Sequence, residues 1–225
     1  MPLPLRALIF DFDGVLADSE PLHLAAFQQV LAPEGILLAR DDYYATYLGY
    51  DDHDAIALAL RRHGQPDDGA RVRALMARKA ECFLGLVAQG VALFPGAAAL
   101  VREAAAHVPL AIGSGALRNE IELILEHAGL RSAFAAIVSA EDVAHGKPAP
   151  DTYLQACAAL GARLPGLAPA DCAVVEDSPD GVEAARRAGM RCLAVCHSAP
   201  AARLQAADAV VARLEEVTWS RLAAL

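Results

Sequence analysis

Short apolar runs recur along this chain, in LRALIF, VPLAIGS, AAIVSA, CAVVED and RCLAVC, and each is parted from the next by a longer stretch of helical character. That alternation is the mark of a parallel sheet joined by crossover helices, and it predicts an α/β fold with a Rossmann-like three-layer core. Between about residues 16 and 92 the pattern changes. Apolar positions there recur at helical spacing and no buried strand is evident, so an inserted all-helical domain is expected. The expected division is an α/β core of residues 1–15 and 93–225 and a helical domain of residues 16–92. Pro21, following Asp18 and Ser19, suits a first helical turn, and Pro95-Gly96 marks the return to the core before the helix AAALVREAAA. The segment ARLPGLAPA reads as a surface loop.

Composition narrows the classes of partner. At 225 residues and 56% hydrophobic, the chain can bury a substantial interior. Its net charge of −9 is spread out, with no block of Lys and Arg to track a nucleic acid or an anionic membrane surface. The opening MPLPLRALIF is interrupted by Pro2, Pro4 and Arg6 and runs straight into Asp11 and Asp13, as a buried strand does and a cleaved leader does not. No apolar stretch approaches a membrane span. Five cysteines, Cys82, Cys157, Cys172, Cys192 and Cys196, form no metal or redox motif, and a reduced cytoplasmic protein is expected, by default a monomer. Cys192 and Cys196 are near enough in sequence to approach one another at a strand end, although such thiols usually serve as small core residues.

Candidate chemistry follows from where the strands end, because the carboxyl ends of parallel strands line the ligand crevice. Asp11, Asp13, Ser114, Glu176 and Asp177 all fall there. In Asp11-Phe12-Asp13-Gly14, alternation puts both carboxylates on one side and Phe12 on the other, though Asp and Gly also favour such turns for conformational reasons alone. Gly113-Ser114-Gly115 is small enough for backbone and hydroxyl to approach an anion; an ordinary helix-start turn has the same composition. In GKPAPD, the prolines restrict the backbone and Lys147 precedes a helix. Glu176-Asp177 suits a hard, oxygen-seeking cation, with helix capping as the alternative; for Asp180 capping is the preferred reading. Gathered together, Asp11, Asp13, Glu176 and Asp177 would repel, and a cation plus Lys147 supplies the missing positive charge.

The ordered set DFDGVLADSEPLH, GSG, GKPAPD and EDSPDGVEAARRAGM resembles the haloacid dehalogenase superfamily, in the helical-cap branch that holds β-phosphoglucomutase-like proteins and phosphoglycolate-type phosphatases. The resemblance implies that Asp11 attacks phosphorus and becomes an aspartyl phosphate, and that Asp13 is the general acid and base. It implies Mg2+ held by Asp11, the main-chain carbonyl of Asp13 and Asp177, with Glu176 in support. Ser114, Gly115 and Lys147 would bind the phosphoryl oxygens, and the helical insertion would be a cap closing over a small phosphorylated metabolite.

Other positions keep two readings. His23 matches a hinge or substrate residue of the family or is a helix-surface histidine; Arg118 faces the cleft or is solvated at a helix start. The segment Tyr47-Leu48-Gly49-Tyr50-Asp51-Asp52-His53-Asp54 corresponds to the family's specificity loop, and its acids are equally a helix N-cap cluster. Where the mutase pattern carries Lys and Arg for a second phosphate, this chain has Leu48 and Asp52, and an Asp there repels a phosphate unless offset. Lys79 is a cap lysine of the family or part of a solvated face. The expected activity is therefore magnesium-dependent hydrolysis of a small phosphomonoester, such as a sugar phosphate or a phosphoglycolate-like acid. A phosphosugar mutase is the runner-up, and a catalytically silent binding module on the same fold is the alternative from another class. A dehalogenase is disfavoured because Asp13 is present, and a phosphonate-cleaving enzyme because residues 41–54 offer no Schiff-base lysine.

Overall fold

The computed structural model describes residues 4–48, 50–90 and 92–225; Pro2, and Gly49 of the candidate specificity loop, lie outside the described residues. Strand β1 (Ala7–Phe10) leads into helix α1 (Glu20–Leu31), a short α2 (Arg40–Asp42) that continues as a π turn over Tyr43–Tyr47, then α3 (Asp52–Arg62) and α4 (Gly69–Val87). The chain then runs α5 (Ala97–Ala105), β2 (Leu110–Gly113), α6 (Arg118–His127), β3 (Phe134–Val138), α7 (Asp151–Gly161), β4 (Cys172–Glu176), α8 (Pro179–Arg187), β5 (Arg191–Val195), β6 (Ala209–Val211) and α9 (Trp219–Ala223). It divides into two compact units, Met1–Asp18 with Ala92–Leu225, and Ser19–Val91.

In the first unit six parallel strands lie in the order β3-β2-β1-β4-β5-β6. From β1 the chain moves one way to β2 and β3, then crosses back to β4, β5 and β6. Right-handed crossovers therefore put α5 and α6 on one face of the sheet and α7 and α8 on the other. Ile9, Ala111, Val174 and Cys192 pack with Tyr153, Leu160 and Ala185 in one core cluster. Leu8 and Phe10 point to the opposite side by strand alternation, and Phe10 meets Phe134 edge-on at 6.1 Å. The five apolar runs of the sequence correspond to β1–β5. The sixth strand, AVV, is a half-buried edge too short to stand out from the surrounding Ala-rich sequence.

Pro21 lies in the first turn of α1 and Gly96, at φ +84°, precedes α5. A Cβ at Gly96 would come within 3.1 Å of Glu215, so both the backbone angle and the space ask for glycine. Cys192 and Cys196 are not the close pair: Cys157 and Cys172, brought together by α7 and β4, lie with sulfurs 3.7 Å apart and are free thiols. Among the described residues no helix is long and apolar enough to cross a membrane.

The second unit is helical. Leu24, Phe27 and Val30 of α1, Ile56 and Leu60 of α3, and Val72 and Leu75 of α4 form its core. Lys79 is buried, which corrects its surface reading, and His23 is half-buried against it. The His23 ring stacks on Phe83 at 4.1 Å. Lys79, 1% exposed, donates to His23 Nδ1 at 2.8 Å, pairs with Asp52 at 2.8 Å and lies 5.0 Å from the ring centres of Phe27 and Phe83. A lysine can be buried here because a carboxylate partner and two aromatic faces replace its water.

Burial first, and then the Lys79 charge, lower the His23 pKa from 6.5 to about 3. The unfolded chain therefore takes up this proton before the folded one. Stability from neutral His23 is complete above pH 6.5 and is lost as the pH falls towards 3. By pH 5 the loss amounts to about 2 kcal/mol. In urea melts at pH 7 and pH 5, His23→Gln should lose correspondingly less stability between the two than the parent; equal losses would rule out this origin.

Candidate active site

The order of strands reverses between β1 and β4, where an open α/β sheet forms its crevice. Asp11 follows β1 directly, and its N–H still bonds to the Val175 carbonyl of β4 at 2.9 Å. That ladder bond sets Asp11 beside the end of β4, where Glu176 and Asp177 lie. Asp11, Glu176 and Asp177 are all buried and offer oxygens within 4.8 Å of one another. Asp13 is half-buried, outside that trio, yet near enough for its charge to raise Asp11.

Lys147 bridges the cluster from the loop before α7. Its Nζ donates to Asp11 Oδ1 at 2.6 Å and to Glu176 Oε1 at 2.7 Å, and it lies 4.9 Å from the Tyr153 ring centre. The Lys147-Pro148 peptide is cis.

Charge in the cluster is unbalanced. Burial pushes Asp11 up to about 7, against the pull of Lys147 and with the help of Glu176 and Asp13. Burial, then the charges of Asp11 and Glu176, push Asp177 up to about 8. Glu176 goes the other way: burial alone would raise it, but Lys147 and the hydrogen bonds it accepts hold it below the usual range. Lys147 is held above the usual range because Asp11 and Glu176 outweigh its own desolvation. One ammonium among three buried carboxylates leaves excess negative charge on oxygen donors, which fits a hard divalent cation.

Glu176 is less available to such an ion than its place in the motif suggests. Its Oε1 accepts from Lys147 and from the Tyr153 hydroxyl at 2.7 Å. Oε2 accepts from the N–H groups of Asp177 at 2.7 Å and Ser178 at 2.8 Å and from the Ser178 hydroxyl at 3.0 Å. The carboxylate thus acts as a hub that fixes Lys147 and the turn into α8. A Cβ at Gly181 would overlap it, so the glycine of PDGVEAARRAG is required by close approach. Ser178, and not Asp180, caps α8, accepting the Gly181 N–H at 3.0 Å.

Ser114 is 2% exposed at the end of β2, and its hydroxyl oxygen accepts the Ala116 N–H at 3.1 Å. Gly113 is small for a packing reason: an added Cβ would come within 3.1 Å of the Tyr153 ring and 3.2 Å of Thr152. Gly115 is exposed with open space beside it.

Arg118 is neither simply solvated nor presented to the acidic cluster. Its guanidinium pairs with Asp142 at 2.6 Å and donates to the Ile137 carbonyl at 2.9 Å, which ties α6 to the turn after β3. In the helical unit, Asp51 caps α3 by accepting the Asp54 N–H at 2.8 Å, as the N-cap reading expects. Asp52 is offset by Lys79 at 2.8 Å.

Three residues near the cluster carry no motif. Tyr153 reads as one more apolar position of α7, and nothing local announces its hydroxyl. His197 and Ser198 were within reach, because they follow β5 at the same carboxyl edge. His197 Nδ1 lies 2.7 Å from the Gly14 carbonyl oxygen, and the Ser198 hydroxyl donates to Asp177 Oδ2.

Sheet order and acidic cluster together define a doubly wound α/β protein with a lysine-bridged oxygen-donor site at its switch point and a helical insertion after β1. The chain belongs to the haloacid dehalogenase-like hydrolases: residues 5–189 match that family. Among its relatives, fructose-1-phosphate phosphatase YqaB of Escherichia coli strain K12 is 37% identical over 183 residues, covering 81% of this chain and 92% of the relative. Hexitol phosphatase B of the same strain is 34% identical over 224 residues, covering 96% of each chain. The crystal structure of CbbY from Rhodobacter sphaeroides in complex with phosphate superposes with a TM-score of 0.84 at 29% identity, covering 98% of this chain and all of that one.

Proposed function

We propose that this protein is a magnesium-dependent phosphatase that hydrolyses a small sugar or polyol phosphate through an aspartyl phosphate. The observation that carries this reading is the meeting of Asp11, Glu176 and Asp177 around Lys147 at the β1/β4 switch point. The phosphatase relatives support the enzyme class, a phosphoric monoester hydrolase, and the sugar-phosphate direction.

Asp11 is the nucleophile: a carboxylate oxygen bonds to phosphorus as the ester oxygen leaves, and Asp13 protonates that oxygen. Asp13 then takes a proton from the water that cleaves the acyl phosphate, which frees inorganic phosphate and restores both residues. Lys147 and Ser114 hold the phosphoryl oxygens, whose charge in the transition state rewards fixed donors and cations. Asp11, the Asp13 carbonyl and Asp177 would hold Mg2+, which would supply neutralising charge at the same oxygens. Glu176 supports the site by fixing Lys147. The helical unit selects the substrate, with Tyr47–Asp54 and His23 as its candidate determinants. The compartment consistent with this chemistry is the cytoplasm.

Phosphate release from a panel of sugar and polyol phosphates, with and without Mg2+, tests the reading. Metal-dependent release supports it. A product isomer dependent on a bisphosphorylated sugar, with no net phosphate, would instead indicate a mutase. Asp13→Asn is expected to lower kcat by about 10²–10⁴-fold while Mg2+ still binds; an unchanged kcat removes Asp13 as acid and base.

A further inference from the structure

The loop after β5, residues 196–199, belongs to none of the motifs, yet it reaches the acidic cluster at Asp177 and the turn after β1 at Gly14. It is fixed at both ends. Cys196 N–H continues the ladder to Val211 at 3.0 Å, and Ala199 is buried in the core cluster shared by β4, β5, α7 and α8. Between these anchors the His197 ring stacks on Phe94 at 4.1 Å with 18° between the planes. Phe94 is itself tied by its N–H to the Leu16 carbonyl at 2.9 Å. His197 Nδ1 donates to the Gly14 carbonyl at 2.7 Å, a bond that fixes its tautomer with the proton on Nδ1.

With its neighbours held in this way, the Ser198 hydroxyl donates to Oδ2 of Asp177. Gly14, at φ +79°, lies directly beneath, and a Cβ there would collide with both the Asp177 carboxylate and the Ser198 hydroxyl. The turn after β1, the acid after β4 and the loop after β5 therefore interlock at one spot.

We infer that Ser198 is a positioning residue for the cation site: by holding Oδ2 of Asp177 it orients the carboxylate that would hold the ion, while His197 fixes the Asp13-Gly14 turn against it. This rests on the reading of Asp177 as a Mg2+ ligand. Carboxylate ligands are commonly oriented by such outer hydrogen bonds, and loss of one weakens metal affinity about 10–100-fold.

The test is calorimetric titration of Mg2+ into the purified metal-free full-length protein, in parallel with thermal melts without metal. Ser198→Ala should bind Mg2+ about tenfold or more weakly than the parent, with an unchanged metal-free melt, and should regain kcat as Mg2+ is raised. Ser198→Thr, which keeps the hydroxyl, should restore the affinity. Parental affinity in Ser198→Ala, or equal weakening in both variants, overturns the inference while leaving the phosphatase reading intact. Absence of Mg2+ binding by the parent itself overturns both, and the parent titration alone reads that outcome.

Discussion

Replacing Asp11 by Asn is expected to lower phosphate release by at least about 10³-fold while the protein stays folded. The two side chains have nearly the same volume, so the space beside Lys147 and Glu176 remains filled. What disappears is the oxygen nucleophile, since a neutral amide does not displace an ester oxygen from phosphorus. Stability should survive because the parent carboxylate is itself disfavoured by its surroundings: burial raises it to about 7, with Glu176 and Asp13 adding to the effect. Removing that charge relieves repulsion and offsets the loss of its bond to Lys147. The measurement pairs a steady-state phosphate assay with a urea melt of metal-free protein. Near-parental turnover from the Asp11→Asn variant would refute the nucleophile assignment, and loss of the fold would show that Asp11 holds the site together as well.

Lys147→Ala should damage both properties. The ammonium is 14% exposed and bridges two buried carboxylates at 2.6 and 2.7 Å. Deleting it leaves Asp11, Glu176 and Asp177 with no internal counter-charge from this residue, and breaking a buried ion pair on one side costs about 3–5 kcal/mol. The loss should appear in metal-free urea melts and shrink when Mg2+ is added, because a bound cation supplies the same compensation. Phosphate release should fall even at saturating Mg2+, since the donor for the phosphoryl oxygens is gone. A stability change below about 1 kcal/mol without metal would mean that water already screens the cluster, contrary to its burial.

These expectations differ in how early they were legible. Asp11, Asp13, Lys147, Glu176 and Asp177 are visible in the sequence because each sits at a strand end or in a proline-restricted turn, and because so many acids in one crevice require positive charge. The four central strands, β2, β1, β4 and β5, are visible for a related reason, since a strand buried on both faces must be apolar throughout, and the edge strand β3 is long and apolar enough to join them. The edge strand Ala209–Val211 escapes because three residues, two of them only half-buried, leave no such trace.

Side-chain pairing across long separations was not legible. Lys79 resembles any lysine on a charged helix until α1 and α4 pack and set Phe27, Phe83 and His23 around it. Asp52 looks hostile to an anion until the same packing supplies Lys79. Arg118 is drawn onto Asp142 by the return of β3 beside β2, a pairing 24 residues apart.

By itself, then, the chain's pattern determined five of the six strands, the helical insertion and the acidic residues of the site, because hydrophobic period and strand-end chemistry are local properties. The tertiary structure alone decided which oxygen each donor reaches: Tyr153 on Glu176, Ser198 on Asp177, His197 on Gly14. A hydrogen bond depends on distances of a fraction of an ångström between segments joined only through packing, and no periodicity in the sequence encodes that.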